Sequence, residues 1–426
     1  MLIQFSVKNF KSIKEKAIFS MEAGSNKELQ NNLIEKDGNR ILKTAVIFGA
    51  NASGKSNIFL AMTAALMAIR RSVYNQPGSR VWDFIPFKFS EETINAPSEF
   101  EFIFIHKGIK YVYGFSSTSQ EVQEEHLFAY KSARPSTIFQ RESNDYYFPE
   151  SIKGKMIPLV ERNLPNKLFI STSAAWNCPF TKNAMEWLMT GIDTYDTQFE
   201  NTLPRATAMF KDDTDGSLKL FTKNLLRQAD INISDFNLRT EEKTQEQYVL
   251  ENNIPKPFKD LLFSGLDSDT KFNSVEFEMF HDMEKDNTKK RYMLNIEEES
   301  LGTKKLFMFA PFIKKALDQG LVIFADEFDA SLHPLLLKYI ISLFHNPEIN
   351  KNNAQLVIST QVVELLDLEL FRRDQIYFVD KERSSGASSL YSLDEFSIRP
   401  TFTKLRENYL LGRFDAVPHI IEGEYL

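Results

Sequence analysis

Apolar and polar positions alternate from Met1 to Val7, with Ile3, Phe5 and Val7 on one face and Leu2, Gln4 and Ser6 on the other, which predicts a strand. Ile41 to Phe48, ILKTAVIF, is a mostly apolar run closed by a glycine. The segment after it repeats apolar residues at helical spacing through Ile58, Phe59, Met62, Ala65 and Met67. Together they predict strand, loop, helix. The alternating aromatic runs FEFIFI and KYVYGF within Glu99 to Phe115 meet at Gly108, where a positive φ is cheap, and predict a β-hairpin within an antiparallel side sheet. From about Met185 to Lys290 the chain turns polar and charged, with helix-compatible Ser217 to Gln228 and acid-rich Glu241 to Glu251, and it lacks a sustained heptad. An α/β alternation resumes at Leu321: the strand LVIFA, a helix from Pro334 to Phe344, then the strands QLVIS and IYFVDK. The expected organisation is therefore an N-terminal lobe over 1–184, an inserted and mainly helical lobe over 185–290, and a C-terminal lobe over 291–426. The two α/β blocks are expected to share one sheet.

Composition narrows the class. The 426 residues are 42% hydrophobic and 26% charged, as in a globular protein. The 58 acidic and 51 basic side chains leave a charge of −7, so contact with nucleic acid would need a local basic patch. No run approaches the roughly 18 apolar residues of a spanning helix, and no secretory leader is visible, so no membrane role and a cytoplasmic location are expected. The single Cys178 excludes an internal disulfide. The 37 phenylalanines predict a large aromatic core.

The strongest chemical signal is GANASGKS, Gly49 to Ser56, which fits G-x-x-x-x-G-K-[ST] between a predicted strand and a predicted helix. Glycines let backbone N–H groups approach a polyphosphate, the helix start adds a positive dipole end, and Lys55 reaches the β/γ-phosphates. Asn51, Ala52, Ser53, Gly54 and Asn57 complete this loop, and the Ser56 hydroxyl is a candidate Mg²⁺ ligand. LVIFADE, Leu321 to Glu327, is a buried strand ending in two carboxylates, where ligands of parallel sheets bind. Asp326 is the second candidate for Mg²⁺, and Glu327 for orienting or deprotonating an attacking water. Just ahead of it, Ser300, Gly302 and Thr303 form a turn at a helix start whose Leu306, Phe309, Ile313 and Leu317 make one stripe. The acids Glu297 to Glu299, the basic Lys289 to Arg291 with Tyr292, and Arg70 with Arg71 read most simply as solvated charge, and the one Cys and six His give no zinc pattern.

The order FxVxNFKSI, GANASGKSN, SLGT, the acid-ended strand, then DASLHPLL from Asp329 to Leu336 resembles ABC-type ATPases of the SMC and RecF group. It is most similar to the compact AAA-type, OLD-like ATPases of abortive infection. QLVIST, FRRDQIYFVDKE, SLYSLDEF and YLLGRFDAVP resemble that subfamily's C-terminal segments, and the resemblance weakens in the middle of the chain.

The resemblance implies an α/β ABC-type P-loop NTPase head with an antiparallel β side sheet and an inserted helical lobe, using ATP and Mg²⁺. It implies a site shared by two copies, in which Ser300 and Gly302 of one meet the γ-phosphate on the other's Gly49–Ser56 loop. Asp329 and Ser331 would match the loop crossing that interface, along with His333. The implied partners are a second copy, in a homodimer or higher even-numbered oligomer, and a separately encoded effector, a nuclease or toxin, of an anti-phage system. DNA is a further candidate. Two positions depart from the family: Gln361 stands where a γ-phosphate-sensing histidine is usual, and Asp83 to Ser90 offers no glutamine for the loop that normally carries one. Gln361 can donate a hydrogen bond but cannot carry a proton, so slow hydrolysis is expected. The alternatives left open are a DNA-maintenance ATPase that clamps nucleic acid and a slow, ATP-cemented scaffold.

Overall fold

The computed structural model describes every residue except 37, 133, 196–198, 252–253, 256–257, 259–262, 264–271, 286–287, 397–403 and 419–426. The chain divides into two compact units, Met1–Thr197 with Lys315–Leu426, and Gln198–Lys314.

The larger unit is built on two sheets. One is a seven-stranded antiparallel sheet, ordered Asp145–Tyr147, Ser136–Glu142, Val122–Tyr130, Ile109–Ser117, Ser98–His106, Leu2–Lys8, Ala17–Ser20. It contains the expected hairpin, with His106 opposite Ile109 and both turn residues, Lys107 and Gly108, at positive φ (49° and 75°). The other has six strands, ordered Ile192–Tyr195, Val322–Ala325, Gln355–Ser359, Thr44–Gly49, Ile376–Lys381, Ser388–Ser392. The first five run parallel and the last is antiparallel, so the two α/β blocks do share a sheet. Strands buried on both faces read as continuous apolar runs, as Val322–Ala325 and Gln355–Ser359 do.

Phe19 joins the two sheets, its ring 5.6 Å from Phe324 and 5.1 Å from Tyr377. Phe59, on the helix Lys55–Arg71, packs its ring, tilted, at 4.5 Å against the same Phe324. Gln355, fully buried, adds a polar tie: its Oε1 accepts from Leu2 N (2.7 Å), and its Nε2 donates to the Leu2 and Leu42 carbonyls (3.0 Å each).

Three expectations differ from what is observed. The run Ile41–Phe48 is two strands, Asn39–Leu42 and Thr44–Gly49, broken at the buried Lys43, whose Nζ donates to the carbonyls of Asn31 (2.8 Å) and His345 (3.4 Å). The insertion spans Gln198–Lys314 rather than 185–290. Residues 185–195 belong to the larger unit because Ile192–Tyr195 pairs in parallel with Val322–Ala325. The smaller unit is also less helical than expected: beside the helices Phe199–Lys211 and Ser217–Gln228 it holds an antiparallel sheet of Asp235–Lys243, Phe272–Lys285 and Thr288–Asn295. It has its own aromatic core, in which Phe307 lies 5.0, 4.8 and 5.0 Å from the rings of Phe210, Phe236 and Phe277. Among the described residues no helix is long and apolar enough to cross a membrane.

Candidate functional site

The loop Gly49–Gly54 leaves the C-terminal end of the central parallel strand and feeds the helix Lys55–Arg71, whose cap residue Gly54 sits at φ 106°. Two positions in it tolerate no side chain. A Cβ on Gly49 would come within 2.5 Å of the Val379 carbonyl, and one on Gly54 within 2.9 Å of Ser388 Cβ, in a conformation that L side chains rarely adopt. The Ser53 hydroxyl is buried and has no hydrogen-bond partner among the described residues. An orphaned buried hydroxyl inside a glycine-shaped cradle at a helix start is the arrangement a polyphosphate satisfies.

Lys55 lies folded against this loop. Its Nζ donates to the carbonyls of Gly49 (2.5 Å) and Ala50 (3.1 Å), and the ammonium has three donors. Burial pushes its pKa below the usual lysine value, an effect partly offset by the charges of Asp326, Asp329 and Glu327. The sheet therefore gathers one buried cation and three carboxylates at the C-terminal ends of neighbouring strands.

The carboxylates are individually fixed. Asp326 Oδ1 accepts from the Ser359 hydroxyl (2.5 Å) and from Glu327 N (3.1 Å), while Ser359 Oγ also accepts from Glu327 N (2.7 Å). Glu327 itself sits in a left-handed conformation, φ 42°, its backbone N–H held by these two bonds. Asp329 Oδ2 accepts from Thr360 Oγ1 and from Gln361 N, both at 2.8 Å. The segment after Asp326 thus fixes the backbone of Gln361, whose residue is exposed. Ser56 and Asp326 are hard oxygen donors of the kind Mg²⁺ takes, and Asp326 Oδ1, not Oδ2, carries its two bonds within the chain.

A second layer, not foreseen from the sequence, braces the loop. Ser388 Oγ donates to Ser53 O (2.6 Å) and lies 2.7 Å from Ser12 Oγ, which also accepts from Asn57 Nδ2 (2.6 Å). Ser12 sits in the FKSI stretch, and its neighbour Lys11 donates its backbone N–H to Ile85 O (2.7 Å). Within Asp83 to Ser90, Phe87 is buried and its N–H donates to Asn9 Oδ1 (2.9 Å), so this stretch packs against the same N-terminal loop. The motif QLVIST contains Ser359 but gave it no role, and nothing in the sequence around Ser388 marked that serine.

The turn at Ser300 belongs to the smaller unit and is a helix cap: Ser300 Oγ accepts from Thr303 N (3.1 Å) and lies 2.8 Å from Thr303 Oγ1. Leu301 beside it is 71% exposed. The charged clusters resolve into local roles. Glu297 pairs with Lys304 (3.0 Å), Glu298 closes a capping box with Asn295, and Glu299 pairs with His281 (2.7 Å). Arg70 donates to the carbonyls of Leu188 and Ile192, Arg71 lies over the Trp82 ring, and Arg291 forks onto Asp282. His333 caps the helix Pro334–His345 by accepting from Leu335 N (3.2 Å). Among the described residues no group of three or more His, Cys, Asp or Glu side chains is arranged to hold a metal ion between them, and His419 lies outside those residues.

The family described as "AAA domain, putative AbiEii toxin, Type IV TA system" matches residues 45–153 and 204–367, well over half of the chain. The chain belongs to this AAA family. The expected kinship with abortive-infection ATPases is thereby borne out, and the family makes this chain a nucleotide-binding ATPase. Its matched segments include the Gly49–Ser56 loop, Ser300 and Asp326–Glu327. No curated protein matches the sequence significantly. Among solved structures, the chain is similar to the SMC head domain from Thermotoga maritima, with 12% identity over 92% of this chain and 98% of that one and a TM-score of 0.41. It is likewise similar to an SMC head bound to the C-terminal winged-helix domain of ScpA (15%, 92% and 97%, TM-score 0.41). A third is the Pyrococcus furiosus-derived SMC head with an extended coiled coil bound to the C-terminal domain of ScpA (14%, 92% and 96%, TM-score 0.40).

Proposed function

We propose that this AAA family member is an ATP-driven switch of a bacterial defence system, in which two copies close around Mg·ATP and control a separately encoded nuclease or toxin. The observation that supports it most is the convergence on Lys55: a buried lysine on a glycine-shaped phosphate loop, close to the charges of Asp326 and Glu327, with Ser359 bonded to the Asp326 carboxylate and to the Glu327 backbone.

In this reading the backbone of Gly49–Ser56 and Lys55 hold the phosphates, with Asn51, Ala52, Ser53 and Asn57 shaping the loop, and Ser56 and Asp326 hold Mg²⁺. The ion, when bound, neutralises charge on the phosphate oxygens. Glu327 is placed to orient water or take its proton, since in-line phosphoryl transfer needs a positioned nucleophile. Gln361, fixed through its backbone by Asp329, offers the γ-phosphate an amide donor but no exchangeable charge, which supports slow turnover. Ser300, Gly302 and Thr303 of the second copy complete the site. ATP then favours the closed pair by its differential affinity for that state, and its loss reopens it.

Turnover and assembly of wild type and Glu327→Gln test this. The expected result is a drop of about 100-fold or more in ATP hydrolysis, with ATP-dependent dimers accumulating by light scattering. Equal and negligible rates in both proteins, with an ATP-independent oligomer, would instead establish a scaffold.

A further inference from the structure

The Ser300 turn is braced from two directions. From its own helix, Lys304 Nζ donates to Glu297 O (2.7 Å) and pairs with the Glu297 carboxylate (3.0 Å). From the sheet of the smaller unit, His281 Nε2 meets Glu299 Oε1 at 2.7 Å, with the two side chains only 12% and 9% exposed. Glu299 immediately precedes Ser300, and its own N–H is engaged by Ile296 O (3.1 Å). The side chain of Glu299 is thus anchored on the sheet by a histidine of the long strand Phe272–Lys285.

A shielded imidazole–carboxylate contact is directional and costly to leave half made, so it fixes where the residue after the carboxylate stands. The first turn of Leu301–Gln319 begins at that residue, with Ser300 O accepting from Lys304 N (2.9 Å). We propose that the His281–Glu299 pair sets the position of the Ser300 turn, making His281 a positioning residue for the group that one copy lends to the nucleotide held by the other. This inference rests on the two-copy reading above. It adds a consequence that reading does not contain: the sheet of the inserted unit, through one histidine, governs whether a site in another copy is complete.

A positioning role of this kind acts in trans, which gives it a readout that a merely structural role would not move. His281→Ala should bind nucleotide at its own Gly49–Ser56 loop within about threefold of wild type, while its turnover falls at least about tenfold. Mixed in equal amounts with Lys55→Ala, inactive on its own, it should regain roughly a quarter of wild-type turnover. Half of the dimers are then mixed, and each mixed dimer has one intact loop facing one intact turn. His281→Gln, which keeps a donor at similar reach, should be close to wild type without mixing. Should His281→Ala fail to fold, Glu299→Ala opens the same contact from the turn side and replaces it in the mixture. Ser300→Ala mixed with Lys55→Ala is the reference. If that reference recovers activity and the His281→Ala mixture does not, or if His281→Gln is as inactive as the alanine variant, the positioning role is overturned and the shared site stands. If the reference mixture itself fails, the shared site falls and the inference with it.

Discussion

At single residues, burial decides what each polar group can do. His345 shows the sign most plainly. Burial, with a smaller contribution from Lys43, lowers its pKa from 6.5 to about 3, and its Nε2 sits 2.7 Å from Thr44 Oγ1. The folded chain keeps this imidazole neutral until pH falls to about 3, whereas the unfolded chain protonates it near 6.5. Between those values the unfolded state holds the extra proton, so stability falls with falling pH, by at most about 1.4 kcal/mol per pH unit from this group. Denaturant midpoints at pH 7 and pH 5 should therefore drop further for wild type than for His345→Gln, which keeps a partner for Thr44. An identical drop in both proteins would rule His345 out as the source. The same contrast explains what could be read in advance. Gly49, Gly54, Lys55 and Asp326 were legible because phosphate chemistry restricts residue type at fixed spacing. The roles of Ser12, Ser359 and Ser388 were not, because a serine that braces a loop from a distant part of the chain does so through a contact that no local spacing encodes, even where, as for Ser12 and Ser359, it lies inside a recognisable motif.

At the scale of elements, the parallel strands and the aromatic hairpin announced themselves by period, whereas the sheet of the inserted unit did not. Phe272–Lys285 does carry a period of two, the buried Phe277 and Met279 alternating with Glu276 and Glu278, but it lies in the stretch from Met185 to Lys290 whose overall polar, charged composition masked that alternation. Lys43 hid a strand break for the opposite reason, since one charge inside an apolar run looked incidental. The tie between the first strand and the parallel sheet is testable at this level. Gln355→Ala would leave the Leu2 N–H and the Leu2 and Leu42 carbonyls without their partner in a buried place. A loss of roughly 3 kcal/mol in unfolding free energy is expected from chemical denaturation. A loss below about 0.5 kcal/mol would mean that water or a shifted backbone serves those groups instead.

For the whole molecule, the parallel sheet draws strands from nearly the full length of the chain, and Thr44–Gly49 lies between Gln355–Ser359 and Ile376–Lys381. The antiparallel strands from Ser98 to Tyr147, by contrast, pair with their immediate neighbours in sequence. A ribosome thus releases Val46, Ile47 and Phe48 long before either flanking strand has been translated, and this apolar stretch must wait in a growing, aggregation-prone polypeptide. Nascent chains stalled after Glu348 should resist protease across Ser98–Tyr147 and be cut within Thr44–Arg71. Early resistance in the latter would show that other contacts shelter it. The catalytic half of such a protein matures only at the end of translation, so its birth, more than its working life, is when chaperones matter to it.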